Sequence, residues 1–233
     1  MAWDQDSVLE WGTRPWQGVA TSPESGYEDL TTYTKVDPES AFTVDASSVL
    51  ATAIDADWDS AYLYYDFGAD YFKANVVIEF EAIVTALTQT VRSFGLLALT
   101  NALGALAAAQ GPVCQVEAVV PGDDGWSFYA GHSNYATSYR NIAKLGIATY
   151  YCKFQTIDHT VGANDGQIIL TVYDDAARTN IIGGGTIPRV DIPEDKIVPY
   201  RYLLVCQTYR DGSTHDTVGT YKVQNIKIIS NTA

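Results

Sequence analysis

Glu79 and Glu81 stand two apart in the run ANVVIEFEAIV, so on an extended strand both carboxylates share one face about 7 Å apart. That separation is compatible with the paired carboxylates of a glycoside hydrolase. Any strand with one wet face shows the same spacing, and the Glu-x-Asp-x-x-Glu strand of jelly-roll glucanases does not occur, so the pair reads as a solvated sheet face. Asp66, Phe67 and Gly68 spell the DFG of a kinase, but no Gly-rich loop, strand lysine or HRD accompanies them. Gly183 to Gly185 run into Thr186, Ile187 and Pro188 rather than into a helix whose N-terminus would hold a phosphate. His132, His159 and His215 are scattered beside turn residues, and no serine sits in a GxSxG elbow. Asp123 with Asp124, and Asn164 with Asp165, offer oxygens to calcium without the spaced pattern of a dedicated site. No catalytic set, metal or cofactor is therefore expected. The best local candidate for sugar binding is Trp126 beside Asp123 and Asp124, with His132 at the end of the same run. An indole face would stack on sugar C–H groups while carboxylate and imidazole bond hydroxyls; the competing reading of Trp126 is a core residue next to a turn.

The elements that would position these residues are strands. Val76, Ile78, Phe80 and Ala82 alternate with Val77, Glu79 and Glu81, and Tyr150, Cys152 and Phe154 with Tyr151 and Lys153, the period of a half-buried strand. Tyr200, Tyr202, Leu204 and Cys206 likewise oppose Arg201, Leu203, Val205 and Gln207. Ile168 to Tyr173 is β-prone on both faces and is expected centrally in its sheet. In the last run Tyr221 and Val223 share one phase and Ile226 and Ile228 the other, so a bulge near Gln224 and Asn225 is expected. PGDDGW, GANDGQ and YRDGST each set Asp-Gly between strand-like runs, where glycine takes the positive φ of a tight turn. About a dozen strands with turns every 8 to 12 residues or so is the spacing of a sandwich. The Leu96, Leu99, Leu103 and Leu106 stripe has helical spacing, which leaves room for a short helix within 101–109 after a strand at 93–100.

Twenty-eight acidic against fourteen basic side chains give a formal charge of −14, which repels nucleic acid and anionic lipid. The stretch from Phe94 to Ala109 is apolar but broken by Thr100, Asn101 and two glycines, short of the about 20 residues a membrane span needs. The opening MAWDQDSVLEW has neither a basic n-region nor an apolar h-region, so residence in or assembly from a cytoplasm is expected. Cys114, Cys152 and Cys206 are odd in number, widely spaced and inside strand-like runs, hence expected to be buried free thiols. Before Tyr27 the pattern changes: Trp3, Trp11 and Trp16 are interleaved with Gly12, Pro15, Gly18 and Pro23. Such a segment cannot bury its indoles in a regular element. We therefore read residues 1–26 as an irregular docking arm and residues 27–233 as one domain.

The strings YEDLTTYTKVDPESAFTVDASSVLATAI, AYLYYDFGADYF, LTVYDDAARTNII, PYRYLLVCQTYRDGS and VQNIKIIS together resemble the concanavalin A-like jelly-roll domain of bacteriophage virion proteins, over about 27–230. The resemblance implies an all-β sandwich of two antiparallel sheets, with the first strand, near Asp29 to Val36, close to the last, near Gln224 to Ser230. The calcium and manganese ligands of lectins of this fold have no counterpart here. The expected function is a non-enzymatic virion structural protein, a capsid decoration or other surface subunit. Trp3, Trp11 and Trp16 would dock on other virion proteins, capsid or tail subunits, and copies would oligomerise in a particle assembled in the host cytoplasm. A tail or fibre adhesin binding host glycan through Trp126, Asp123, Asp124 and His132 is the alternative, and a glycan hydrolase the third reading.

Overall fold

The structure, a computed structural model, describes residues 26–55, 60–73, 75–87, 93–104, 111–118, 126–132, 140–145, 147–158, 166–182, 189–192, 198–208 and 218–232. These build an all-β jelly-roll sandwich of two seven-stranded sheets with antiparallel pairing throughout. The first sheet runs, in spatial order, β1 (Thr34–Val36), β4 (Tyr62–Asp66), β13 (Tyr202–Gln207), β6 (Ser93–Thr100), β7 (Pro112–Ala118), β8 (Trp126–His132) and β9 (Arg140–Leu145). The second runs β12 (Arg189–Ile192), β11 (Gly166–Tyr173), β10 (Thr149–Asp158), β5 (Asn75–Leu87), β14 (Val218–Thr232), β3 (Ser48–Asp55) and β2 (Phe42–Val44).

The alternation in β5 and β10 does what its period dictates. Val76, Ile78, Phe80, Ala82 and Val84 and their partners Tyr150, Cys152 and Phe154 are buried between the sheets. Opposite them lie Leu63, Phe94, Leu97, Val116, Phe128 and Leu203 of the first sheet. Phe94 meets Tyr221 at 5.2 Å and Phe128 meets Tyr150 at 5.6 Å between ring centroids, so aromatic pairs tie the layers together. All three cysteines are free and buried, and desolvation pushes their thiols up, away from reactive thiolate.

Four sequence expectations meet the structure differently. The bulge in β14 is present: its register with β5 shifts between Gln224 and Lys227, and Asn225 takes a φ of 55°. β11 has a partner on each side yet is next to the edge strand β12, not central. The first strand does not join the last. Glu28 donates its N–H to Ile226 O at 2.8 Å, but β1 then pairs with β4 in the other sheet. In β13 the simple alternation fails, because Cys206 takes a φ of 54° and Val205 and Cys206 both enter the core.

The aspartates of this acidic chain serve as turn acceptors. Asp37 receives the N–H groups of Ala41 and Phe42, Asp45 those of Ser47 and Ser48, and Asp175 those of Thr179 and Asn180. The kinase-like triplet is structural too. Asp66 grips Arg201, Phe67 stacks on Tyr71 at 4.6 Å, and Gly68 supplies a φ of 94°.

Glu28 is 7 % exposed, and Tyr33 donates its hydroxyl to it at 3.5 Å. Burial pushes its carboxyl from 4.5 up to about 7, only partly opposed by that hydrogen bond. The folded state therefore holds this proton more tightly than the unfolded chain does. Stability is fully present below about pH 4.5 and is lost as pH rises through about 7, by roughly 3 kcal/mol in total. Glu28→Gln should flatten this fall. The stability difference between variant and parent, from denaturant titrations across that window, should grow in the variant's favour as pH rises; a pH-independent difference would refute the assignment.

Candidate functional site

The first sheet buries side chains on both of its faces. On the face turned away from the second sheet, Ala98, Val113 and Leu204 are at most 1 % exposed and form an apolar cluster separate from the main core. They lie in one register row across three strands, Leu204 opposite Ala98 and Ala98 opposite Val113. Tyr62, Tyr64 and Tyr202 pack against this floor while remaining partly exposed. Tyr64 sits 6.1 Å from Tyr62 and 6.0 Å from Tyr202, the latter edge to face, so three phenols form one continuous wall. Strand period explains the wall: Tyr62 and Tyr64 are two apart on β4, and Tyr64 pairs with Leu204 on β13.

Arg201 closes one end. It forms two 2.7 Å hydrogen bonds to Asp66 and places its guanidinium 5.1 Å from the Tyr202 ring centre. The Arg201 bonds hold the Asp66 carboxyl below its usual range. Desolvation, helped by Tyr64, pushes the Tyr62 phenol up, so it stays protonated. Beyond the floor lie Gln115, Ser127 and Gln207, each at most 4 % exposed, and their Oε1, Oγ and Oε1 atoms have no hydrogen-bond partner.

Sequence reasoning did not single out this face. Its signal was present in YLYYDF and YRYLL, where Tyr62 and Tyr64 share one phase and Tyr202 is in phase with Leu204, but phase alone does not say which side of a sheet is the core. Trp126 opens β8 opposite Ala118, and His132 ends it opposite Pro112, buried at 5 % exposure. Six residues of extended strand, about 20 Å, separate them, so the structure does not bring this pair together. Asp123, Asp124, Trp3, Trp11 and Trp16 lie outside the described residues. Glu79 and Glu81 lie on the outer face of the second sheet and are engaged. Glu81 accepts from Gln224 at 2.7 Å and Asn225 at 3.0 Å, and Glu79 pairs with Arg178 at 3.6 Å. Among the described residues no group of His, Cys, Asp and Glu could hold a metal, and no helix is long and apolar enough to cross a membrane.

No protein-family model and no curated protein matches the chain. Solved structures do. The alginate lyase Aly36B aligns with a TM-score of 0.53 at 10 % identity, over 91 % of this chain and 96 % of its own. A mutant of the same lyase in complex with alginate trisaccharide gives 0.50 at 9 %, over 88 % and 98 %. The alginate lyase PA1167 from Pseudomonas aeruginosa gives 0.51 at 10 %, over 83 % and 87 %. The chain has the jelly-roll fold of these alginate lyases. The expectation of a non-enzymatic virion surface subunit is overturned by these matches, which are structures of alginate lyases. The strings that led to it fix turns and pairing. Phe72 and Tyr200 exchange hydrogen bonds at 2.9 and 2.8 Å, and Asp175 organises TVYDDAARTN; neither carries a virion-specific signal.

The outer floor is a second small core, so Leu204→Ala should lower unfolding free energy by about 3 kcal/mol, a cavity-forming loss. Ile229→Ala, at a position 46 % exposed, should stay within about 0.5 kcal/mol. Denaturant titration compares the two; equal small effects would show the floor to be a surface.

Proposed function

We propose that this protein binds a polysaccharide along the outer face of the first sheet. The observation that carries the reading is the wall of Tyr62, Tyr64 and Tyr202 on a floor kept apart from the structural core. Aromatic rings offer flat apolar surface to sugar C–H groups and a hydroxyl to sugar oxygens, with little side-chain freedom to lose. Support comes also from fold neighbours named as alginate lyases, one of them in complex with a trisaccharide.

A second reading, cleavage of the bound chain by β-elimination, is favoured by one feature of the same wall. In that reaction a base removes the C5 proton of a uronate, the C4–O bond breaks, C4 and C5 become doubly bonded, and an acid protonates the departing oxygen. A neutral phenol lying beside the bound chain, as Tyr62 would, can donate that proton.

Isothermal titration against a polysaccharide panel tests the first reading. Tyr64→Ala and Tyr202→Ala should each weaken binding by roughly tenfold or more, as loss of one aromatic stacking partner does, while their far-ultraviolet dichroism remains that of the parent. Parental affinity in both variants would reject the site. For the second reading, rising near-ultraviolet absorbance of an unsaturated uronate should appear with the parent and collapse in Tyr62→Phe.

A further inference from the structure

The tyrosine row ends in a guanidinium. Tyr62, Tyr64 and Asp66 are two apart along β4 and so share the outer face, and Asp66 is paired with Tyr202 of β13. Ring centres step 6.1 Å from Tyr62 to Tyr64 and 6.0 Å on to Tyr202, and the Arg201 guanidinium carbon lies 5.1 Å from that last ring. Asp66 takes one edge of the guanidinium: Nε donates to Oδ1 and Nη2 to Oδ2, both at 2.7 Å. Among the described residues nothing bonds Nη1, and the Arg201 and Asp66 side chains are 44 % and 40 % exposed. The second edge, Nη1 with the remaining hydrogen of Nη2, is therefore unspent and faces solvent. The pair is also held from behind. Gly68 donates its N–H to Asp66 Oδ1 at 2.9 Å, and Phe67 donates its own to Arg201 O at 3.1 Å. Asn101 Oδ1 accepts the Arg201 N–H at 2.9 Å, while Asn101 Nδ2 donates to Pro199 O at 2.9 Å. The Asp-Phe-Gly triplet thus fixes an arginine, and a long side chain that ordinarily loses rotamer freedom on binding is already ordered.

Resting on the polysaccharide reading above, we infer that the open edge of Arg201 takes the carboxylate of a uronic acid in a glycan stacked on Tyr62, Tyr64 and Tyr202, so that the preferred ligand is an acidic chain. Geometry carries the choice. A guanidinium edge offers two parallel N–H groups, which two coplanar carboxylate oxygens match and a single hydroxyl oxygen does not. Hydroxyls are common to neutral and acidic chains and take no part in the discrimination. Asp66 occupies the other edge and acts as a tether. Because it also cancels the charge of Arg201, selectivity rests on two directed hydrogen bonds to an anion and not on a free cation. The −14 of the chain opposes an anionic ligand at long range, but salt screens that field beyond roughly 8 to 10 Å, whereas contact at the guanidinium is direct.

Calorimetric titration of the full chain at physiological ionic strength tests this with oligogalacturonate, oligomannuronate, the methyl esters of both, and a cello-oligosaccharide of equal length. The proteins are the parent, Arg201→Gln, Arg201→Lys and Tyr64→Ala. For the parent, the acid form of at least one uronate should bind about tenfold or more tighter than its own ester. In Arg201→Gln that ratio should fall to about one, through loss of acid binding with ester binding unchanged. Arg201→Lys should recover part of it, as a point charge without the planar fork. Acid and ester are compared on the same variant, so a change in that variant's stability leaves the ratio readable. A residue that merely supports the fold would weaken both ligands alike. An ester bound by the parent as tightly as the acid, a ratio that survives Arg201→Gln, or binding of the cello-oligosaccharide alone would overturn the carboxylate subsite, while loss of binding in Tyr64→Ala would still uphold the tyrosine face. Absence of binding to every ligand would remove the polysaccharide reading, and the subsite with it.

Discussion

A paired irregularity in the middle of the first sheet decides which side chains this protein shows to its surroundings. Register between β6 and β7 slips between Gly95 and Leu97, so Leu96 and Leu97 both enter the interlayer core. Directly alongside, Cys206 adopts a φ of 54° and enters the core together with Val205. Strict alternation would have turned Cys206 outward and Gln207 inward. The double slip instead keeps Tyr202 and Leu204 outward before it and restores Gln207 outward after it, opposite Gly95. Bulges commonly re-aim side chains near functional surfaces, and here one aligns an apolar floor with a row of amides on a single face.

The rest of the molecule stabilises that sheet. The second sheet lays a continuous apolar face against it, and its own outer charges are mutually engaged: Glu81 with Gln224 and Asn225, and Glu79 with Arg178, whose guanidinium lies 5.9 Å from the Tyr151 ring centre. That face carries Glu79 against Arg178, whereas the face of the first sheet carries, beside the Asp66–Arg201 pair at one end, phenols, methyls and unpaired carbonyl oxygens. The contrast sets a charge-paired exterior apart from the face proposed to meet a ligand. A buried carboxyl at Glu28, with Tyr33, Tyr65 and Tyr71 near it, makes this part of the fold sensitive to pH.

Period-two alternation was enough to predict β5, β10 and the bulge near Gln224 and Asn225; turn spacing and the family resemblance pointed to the two-layer architecture, and the number and spacing of the cysteines to buried thiols. Less was legible where a local rule was broken. The slip at Cys206 leaves no trace in the residue string, because Leu203, Leu204, Val205 and Cys206 are all apolar and either phase would suit them. β11 looked central because both its faces are β-prone, but Thr171 on its outer phase, 4 % exposed, lies in the row just before the turn at 174–182, which returns to pair Ile181 with Tyr173. The first strand was expected close to the last, and among the described residues it is Glu28 that makes the backbone contact, with Ile226. The tyrosine wall was missed for a related reason: Tyr62 and Tyr64 are two apart, but Tyr202 lies far along the chain, and long-range pairing of β4 with β13 is what joins them. Attention went to tryptophans instead, whose chemistry is conspicuous in a sequence but whose neighbours are not.

The central claim is that ligand meets the phenols of the first sheet and not those of the second. Tyrosine-selective isotope labelling, with resonances assigned by single Tyr→Phe substitutions, tests it directly in a titration with glycan oligosaccharides. Shifts concentrated at Tyr62, Tyr64 and Tyr202, with Tyr151 and Tyr173 unmoved, are the predicted result. Shifts confined to Tyr151 and Tyr173 would place the binding surface on the opposite side of the sandwich and contradict the account.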